Sequence, residues 1–422
     1  MTAPEPKPSN ATQWLAYIES LHPKSIAMGL DRVQTVANKL QLKPNFPIIT
    51  VAGTNGKGSV CAMLNHIYTE AGYRVGCYTS PHLVRYNERV CVNLKAISDD
   101  DLCTAFAAVE AARGNVALTY FEMGTLAAMW HFCRNSLQVL ILEVGLGGRL
   151  DAVNIFEPSC AIVTVIDLDH MEYLGDTREK IGFEKAGIFR ANTLAICGDK
   201  NPPQSLLDYA VKIGANLALI NRDFSINKLA QGWQYLADDL QIELPNLGLA
   251  GDFQANNAAC ALHAVTHLQA LLPLSQANIK QSLTQVHLTG RFQQIRANPH
   301  IIVDVAHNPQ AAKSLAHNLQ NMPCTGKTLA VLAMLADKDI NGVVSAITSQ
   351  IDAWYLADIE AARGAKALDL QAAFNQQAIK KPVQMFANVT TALAAACIEA
   401  NKNDRIIVFG SFYTVADALT VN

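Results

Sequence analysis

The chain has 422 residues, half of them hydrophobic, and a formal net charge of −3. This length and apolar content predict two or three globular domains with sizeable cores. The slightly negative balance, without a long basic run, argues against a nucleic-acid-binding surface, and no apolar stretch is long enough to cross a bilayer. We therefore expect small-molecule ligands and neither nucleic-acid nor membrane partners. A monomer is a separate expectation that composition does not decide.

The ten cysteines are scattered, form no C-x-x-C pair and mostly lie in apolar runs. This distribution is typical of reduced cysteines in a protein core and predicts a cytoplasmic location. Residues 1–10 are rich in proline and lack an apolar segment, so we expect a disordered leader there.

The first strong motif follows two short predicted helices, around residues 14–21 and 33–40. The apolar run 46–52 breaks into Gly53-Thr54-Asn55-Gly56-Lys57-Gly58-Ser59, and apolar residues at helical spacing follow from Val60. A glycine-rich turn with one lysine between a strand and a helix predicts a phosphate-binding loop. Val51 stands where the usual G-x-x-x-x-G-K-[ST] pattern has its first glycine, which makes a generic kinase or GTPase a less favoured interpretation.

Three polar residues lie at or just beyond the ends of further predicted strands. Ser80 follows 75–79, Glu143 lies near the end of 139–144, and His170 follows 161–166. Ligands of open α/β sheets bind at such carboxyl ends. A lone buried carboxylate is costly without a partner, so we favour Glu143 as an Mg²⁺ ligand over a structural ion pair. A turn cap for Ser80 and an ordinary core histidine for His170 stay open as alternatives.

Other polar groups have simpler interpretations. The acidic run 99–101 after Ser98 predicts a helix cap and not a metal site. Spacing alone gives Lys185, in the predicted helix 177–188, no special role, and a solvated lysine is the default. A hairpin is predicted over 233–244, followed by two helices, the first with Asn256 and Asn257.

Strand and helix alternation divides the chain in two. Repeated βα units up to about residue 290 predict a P-loop-type doubly wound α/β domain over 11–290, with a hinge at 291–296. The pattern restarts with strands at 301–304, 329–332, 354–356 and 406–409, which predicts a smaller, Rossmann-like α/β domain over 297–422. Asp304, His307 and Ser411 lie at strand ends of this second domain.

Taken together, the motifs resemble those of the Mur ligase superfamily, and within it the bifunctional dihydrofolate synthase/folylpolyglutamate synthase family. The likeness extends from about Trp14 to Val415 and is specific through the order and spacing of its motifs. These are residues 53–59, 79–82, 118–122, 143–152, 168–170, 184–188, 290–292 and 304–309.

The resemblance implies an ATP-dependent amide ligase acting on a folate precursor. In this family the pteroate or folate carboxylate attacks the γ-phosphate of ATP, and the amine of L-glutamate then displaces phosphate from the acyl phosphate. It also implies Mg²⁺, as two ions, held by Ser80, Glu143, His170 and a CO₂-derived carbamate on Lys185, and it leaves open a monovalent cation. Lys57, His170 and Lys185 would be the catalytic side chains.

The remaining implied contacts are with substrates. For ATP they are Thr54, Asn55, Gly56, Lys57, Gly58, Ser59, Asn257, Arg291 and Asp304, which would place ATP against both domains. For the pterin they are Ala27, Met28, Gly29, Thr119, Tyr120, Phe121, Glu122, Leu150, Asp151 and Ala152. For the incoming glutamate they are His307 and Ser411.

Three alternatives are weighed against this hypothesis. A monofunctional folylpolyglutamate synthase would lack the dihydropteroate activity, against which the segment 118–122 argues by resemblance. A peptidoglycan-precursor ligase would need an N-terminal domain for a UDP-sugar, which the chain does not obviously contain. A non-catalytic ATP-binding module would be expected to have lost one of Lys57, Glu143, His170 or Lys185, all of which are present.

Overall fold

The computed structural model describes residues 8–24, 26–238 and 240–420. Residues 1–7 of the predicted leader lie outside this range, whereas Asn10, also assigned to the leader, caps the first helix by accepting the Gln13 N–H. The chain divides into two compact units. The first comprises Met1–Leu247 with Ala255–Val286, and the second Gly248–Gln254 with His287–Asn422.

The first unit contains ten helices and eleven strands among its described residues. The helices are α1 Ala11–Ser20, α2 Asp31–Lys39, α3 Lys57–Glu70, α4 Asp99–Arg113, α5 Tyr120–Phe132, α6 Met171–Leu174, α7 Arg178–Ala186, α8 Gln204–Ile213, α9 Phe253–His267, whose first two residues belong to the second unit, and α10 Gln276–Gln285. The strands are β1 Ile48–Ala52, β2 Val75–Tyr78, β3 Val90–Val92, β4 Lys95–Ala96, β5 Val139–Glu143, β6 Cys160–Val163, β7 Leu194–Cys197, β8 Asn216–Leu219, β9 Phe224–Lys228, β10 Trp233–Ala237 and β11 Leu240–Leu244.

An eight-stranded sheet forms the centre of this unit, in the order β4-β3-β2-β5-β1-β6-β7-β8. The run from β2 to β8 is parallel, and β3 and β4 extend it antiparallel at one edge. Every residue of β1, β2, β5 and β6 is buried, as expected for strands covered on both faces. The carboxyl ends of these four neighbouring strands therefore lie along one stretch of the sheet edge.

The predicted βα repetition up to residue 290 is wrong beyond β8. A separate antiparallel sheet, β11-β10-β9, follows, and the helices α9 and α10 come after it. The hairpin prediction over 233–244 is confirmed by β10 and β11, but the partner strand β9 was not predicted. Its sequence, Phe-Ser-Ile-Asn-Lys, is too short and too polar at its end to stand out.

The second unit is built on six strands, β12 Gln293–Ala297, β13 His300–Asp304, β14 Thr328–Leu332, β15 Ala353–Ala357, β16 Val383–Phe386 and β17 Arg405–Phe409. Their order is β12-β13-β17-β14-β15-β16, with β12 antiparallel and the others parallel. Its helices are α11 Pro309–Asn321, α12 Ile340–Ile347, α13 Ala367–Gln376, α14 Val389–Glu399 and α15 Phe412–Thr420. Residues 293–296 of the predicted hinge belong to β12.

Local signals explain most helix starts. Ser98 accepts the Asp101 N–H at the start of α4, which confirms the acidic run as a helix cap. Thr119 and Glu122 form a reciprocal capping box on α5, so residues 120–122 lie in the first turn of this helix. The α/β class, with a larger doubly wound unit and a smaller second one, is confirmed. In the described part of the chain all ten cysteines are free, and no helix has the length and apolar character that crossing a bilayer requires.

Candidate active site

Two glycines with positive φ shape the turn after β1. Gly53, at φ +147°, lies against the Thr164 side chain, and Gly56, at φ +91°, immediately precedes α3. The Lys57 ammonium donates to the carbonyl oxygens of Gly53 at 3.0 Å and Thr54 at 3.3 Å, which holds the cation against the turn. With the amides that begin the 14-residue helix α3, this arrangement concentrates positive charge suited to phosphate oxygens.

Hydrogen bonds fasten this turn to the segment that follows β6. The Thr54 N–H donates to Val165 O at 2.7 Å, and the Thr54 hydroxyl both donates to Asp167 O and accepts the Asp167 N–H, each at 3.0 Å. The Thr164 hydroxyl donates to Asn55 O at 2.7 Å. Strand β6 ends at Val163, short of the predicted Ile166, and the residues beyond it support the turn. These contacts within the protein thus hold the turn in shape.

The structure distinguishes Asn257 from Asn256. Asn257 is only 7% exposed, whereas Asn256 is half-buried. A Cβ placed on Gly56 would come within 2.5 Å of Asn257 Oδ1, so the amide of this α9 residue packs directly on the turn. This contact places Asn257 against the predicted phosphate-binding turn.

Ser80 and Glu143, two of the predicted metal ligands, are in contact. Glu143 ends β5 and is 5% exposed, and its Oε2 accepts the Ser80 N–H at 3.1 Å. β2 and β5 are adjacent and parallel, which brings both residues to the same edge. The buried charge of Glu143 also contributes to raising the pKa of the Cys61 and Cys77 thiols, for which burial is the largest cause. A buried carboxylate oxygen next to a serine is a donor set that fits Mg²⁺.

His170 lies further along this edge, after β6. Its backbone is left-handed at φ +51°, and its N–H donates to the Asp169 carboxylate at 2.9 Å. His170 Nε2 lies 3.9 Å from Asp169 Oδ2. Asp169 was not predicted as a site residue, although its place between a strand end and a candidate ligand was a signal for it.

Lys185 is buried, so the default interpretation of a solvated helix lysine is wrong. The side chain lies on α7 and is only 4% exposed. Burial, reinforced by the charge of Lys57, lowers the pKa of Lys185 to about 7, while Asp169 and Asp151 act in the opposite direction. The glycine-rich turn 145–148 packs closely on the backbone of α7, because a Cβ on Gly148 would come within 3.1 Å of both Glu184 O and Lys185 O. Only a residue without a side chain allows this approach.

Asp151 is a second buried charge in the same region. It is 5% exposed and accepts the N–H groups of Leu146 at 2.8 Å and Val153 at 3.0 Å. Burial raises the pKa of Asp151 to about 7, against the opposing effects of these amides and of Lys57. The charge of Lys57 thus shifts the pKa of both Lys185 and Asp151.

Within the described ranges no group of three His, Cys, Asp or Glu side chains is arranged to hold a metal ion. Only two of the four predicted ligands, Glu143 and His170, are of these residue types, and the other two are Ser80 and Lys185.

The three segments predicted for the pterin lie in the first unit. Thr119–Glu122 starts α5, Asp151 precedes a 3₁₀ helix at Ala152–Ile155, and residues 27–29 belong to no helix or strand. Phe121 packs on Gly145, where a Cβ would lie 2.7 Å from the ring. The guanidinium of Arg32 donates to the Ala27 carbonyl oxygen and to the Glu122 carboxylate. It therefore joins residues 27–29 to residues 119–122. Arg32 was not predicted as a site residue.

In the second unit, the predicted ligand residues are held by short-range contacts. Asp304 accepts the N–H groups of Phe292 at 2.7 Å and Ala306 at 2.8 Å, and burial raises its pKa while Arg291 opposes this. His307 Nδ1 lies 2.8 Å from Val305 O. The buried Ser411 hydroxyl accepts the Thr414 N–H at 3.0 Å at the start of α15.

Comparison with known proteins identifies the family. The sequence matches the family models "Mur ligase middle domain" over residues 51–265 and "Mur ligase, glutamate ligase domain" over residues 290–412. It is 44% identical, over 414 residues, to the dihydrofolate synthase/folylpolyglutamate synthase of Escherichia coli strain K12, covering 98% of this chain and 96% of the relative.

Solved structures agree along almost the whole length. Escherichia coli FolC in complex with DHPP and ADP gives a TM-score of 0.93 at 42% identity, covering 98% of this chain and 97% of that one. The bifunctional folylpolyglutamate synthase/dihydrofolate synthase of Yersinia pestis, complexed with AMPPNP and Mn ion, gives 0.91 at 43% identity, with 98% of each chain covered. The chain therefore belongs to the dihydrofolate synthase/folylpolyglutamate synthase family of the Mur ligases.

Proposed function

We propose that this protein is an ATP-dependent ligase that joins L-glutamate to 7,8-dihydropteroate and to reduced folates, releasing ADP and phosphate. The observation that carries the proposal is the sheet edge of the first unit, where the lysine-bearing turn follows β1, Ser80 follows β2 and Glu143 ends β5. These three strands are adjacent, and Ser80 and Glu143 are in contact. Relatives of matching length are bifunctional enzymes by name, and one was solved with AMPPNP and Mn ion.

The first chemical step is attack of the acceptor carboxylate on the γ-phosphorus of ATP, which gives an acyl phosphate and ADP. Such a step needs alignment and charge neutralisation more than covalent help from the protein. The amides of residues 54–59 would bind the phosphates, and Lys57 would leave its present carbonyl partners to neutralise the transferred group. The amine of L-glutamate then attacks the acyl carbon, and phosphate departs as the amide bond forms.

Ser80, Glu143, His170 and Lys185 would hold two Mg²⁺ ions. When bound, the ions supply positive charge to the phosphate oxygens of ATP and to the acyl phosphate. The buried carboxylate of Glu143 and its contact with Ser80 fit this role.

Lys185 would act as a carbamate. Because burial lowers its pKa to about 7, much of the amine is neutral near pH 7 and retains the lone pair that attacks CO₂. A nitrogen–carbon bond forms, one proton leaves, and the product is an anion. An ammonium beside Lys57 and two divalent cations is repelled, whereas a carbamate is attracted.

The remaining assignments follow the family. ATP would also contact Asn257, Arg291 and Asp304, and the pterin would lie among Ala27–Gly29, Thr119–Glu122 and 150–152. The glutamate would lie near His307 and Ser411. We further propose a monomer that works in the cytoplasm.

The test is glutamate-dependent phosphate release from ATP, measured with dihydropteroate and with tetrahydrofolate as acceptor. We expect turnover with both, and a product heavier than the acceptor by one glutamyl residue in mass spectrometry. Turnover with tetrahydrofolate alone would identify a monofunctional folylpolyglutamate synthase. ATP binding without turnover on either acceptor would identify a non-catalytic module.

A further inference from the structure

Arg32 makes a forked contact with a nearly buried carboxylate. It lies in the first turn of α2, with its side chain 30% exposed, while the Glu122 side chain is 5% exposed. Arg32 Nη2 donates to Glu122 Oε1 at 2.9 Å, and Nε faces Oε2 at 3.3 Å. A carboxylate so removed from water needs a paired cation, and Arg32 supplies it.

Glu122 in turn fixes the start of α5. Its Oε2 accepts the Thr119 N–H at 2.8 Å, and its own N–H donates to the Thr119 hydroxyl at 3.2 Å. The guanidinium therefore holds the carboxylate from one side while the capping box holds it from the other. Loss of Arg32 would leave a buried charge whose easiest relief is to turn towards water, which would open the turn at residues 119–122.

The same guanidinium also reaches the preceding segment. Arg32 Nη2 donates to the carbonyl oxygen of Ala27 at 2.6 Å. Residues 26–29 belong to no helix or strand, and Gly29 has φ +133°, so regular structure does not fix their path. One nitrogen atom thus ties this irregular segment to the first turn of α5.

We infer that Arg32 is a positioning residue for the folate-type acceptor, because it fixes residues 27–29 and 119–122 relative to each other. The inference rests on the proposed function, in which these two segments hold the pterin. A lysine at this position would keep the charge but could not present Nε and Nη2 together to the carboxylate while also bonding Ala27. The position of residues 27–29 relative to residues 119–122 would then be less well fixed. The turn at residues 53–59 would not be affected.

The test uses three variants of the full chain, Arg32→Gln, Arg32→Lys and Arg222→Gln. Arg222 is a matched control, because its guanidinium also bonds a carboxylate, that of Asp223, and the carbonyl of a residue five positions earlier, Leu217, at 2.9 Å. The measurements are the dissociation constants of dihydropteroate and of ATP by calorimetry, the KM of each, and the melting temperature.

For Arg32→Gln we expect dihydropteroate to bind roughly tenfold or more weakly, because the two segments that hold the pterin are then no longer fixed before binding. ATP affinity should stay within about twofold, because the residue acts on the acceptor segments alone. The dihydropteroate affinity of Arg32→Lys should lie between those of wild type and Arg32→Gln. Arg222→Gln should match wild type in its affinity for dihydropteroate and for ATP.

Unchanged dihydropteroate affinity in a folded Arg32→Gln protein would overturn the inference and leave the proposed function standing. A parallel loss of ATP affinity and dihydropteroate affinity would also overturn it, since that pattern indicates a general structural role. If Arg32→Gln does not fold, the same comparison of the two affinities in Arg32→Lys decides. A wild-type protein that binds no dihydropteroate would refute the proposed function, and the inference with it.

Discussion

The carboxyl edges of the two parallel sheets use polar side chains in different ways. In the first unit the edge contains charged groups kept from water, and the pKa values of Lys185 and Asp151 both move to about 7. In the second unit Asp304 and Ser411 accept main-chain N–H groups and so shape the loops after β13 and β17. The first edge thus combines buried groups of opposite charge under the influence of Lys57. Burial also raises the pKa of Asp304, but the described contacts of Asp304 and Ser411 mainly shape their own loops.

This difference indicates where the chemistry lies. Burying a charge without full compensation destabilises a protein and is retained mainly where a reaction uses it. A side chain that caps a helix or accepts loop amides mainly stabilises its own surroundings. We therefore expect substitutions at the first edge to abolish turnover, and substitutions at the second to change stability and substrate affinity by smaller amounts.

The largest effect is expected for Lys57→Ala. The substitution removes the phosphate-facing cation, and we expect a loss of roughly 10³-fold or more in glutamate-dependent phosphate release, comparable with losing a main electrostatic contact to the transition state. The fold should be intact by circular dichroism, because Lys57 bonds only carbonyl groups of its own turn among its described contacts. Wild-type turnover in this variant would refute the phosphate-loop assignment.

Lys185→Ala tests whether the buried lysine works as an anion. We expect it to be nearly inactive and to be partly rescued by acetate or formate, which can occupy the place of the carbamate. Lys185→Arg should be inactive with or without these ions, because a guanidinium forms no carbamate and remains cationic. A fully active Lys185→Ala enzyme would remove the carbamate from the mechanism.

A pH series of protein stability measures how strongly burial disfavours the protonated form of Lys185. In CO₂-free buffer the folded protein holds this lysine at a pKa of about 7, and the unfolded chain at its ordinary value of 10.5. Between these values the unfolded state binds more protons, so the free energy of unfolding of wild type rises with pH.

Lys185→Met lacks this contribution. It should be more stable than wild type by up to a few kcal/mol below pH 7, and the difference should shrink towards pH 10. Chemical denaturation of both proteins across this range is the measurement. A difference in stability that does not change with pH would show that Lys185 carries no buried-charge penalty.

The smallest effect is expected at the second edge. Ser411→Ala removes the N-cap of α15 and should cost about 1 kcal/mol of stability. Asn388→Ala is the matched control, since Asn388 caps α14 in the same unit by accepting the Thr391 N–H. If Ser411 also helps to place glutamate, the KM for glutamate rises in Ser411→Ala only. Equal KM values in the two variants would limit Ser411 to its capping role.

The sequence predicted the first edge well because strand ends and glycine turns are local signals. The apolar runs before Gly53 and through Glu143 predict strands directly, and adjacent parallel strands bring their ends together. Lys185 was different, because its burial is a property of the tertiary structure that no periodicity in residues 177–188 reveals. The family resemblance, and not the spacing, is the basis of the role proposed for Lys185.

Arg32 and β9 escaped prediction for related reasons. Arg32 occupies an exposed-looking position at the start of a helix, and its partner Glu122 is 90 residues away, so only the tertiary structure shows the pair. β9 is stabilised by pairing with β10, and its own five residues carry little strand signal. In both cases the contact is made with another element, and the local sequence of Arg32 or of β9 carries no signal for it.

The central claim is that the acceptor carboxylate is activated as an acyl phosphate at the first edge. Dihydropteroate labelled with ¹⁸O in its carboxylate tests this most directly, by mass spectrometry of the phosphate released with ATP and glutamate. Because the carboxylate oxygen that attacks the γ-phosphorus leaves with the phosphate, we predict one ¹⁸O atom in each phosphate released during amide formation. Amide formation with unlabelled phosphate would contradict the account.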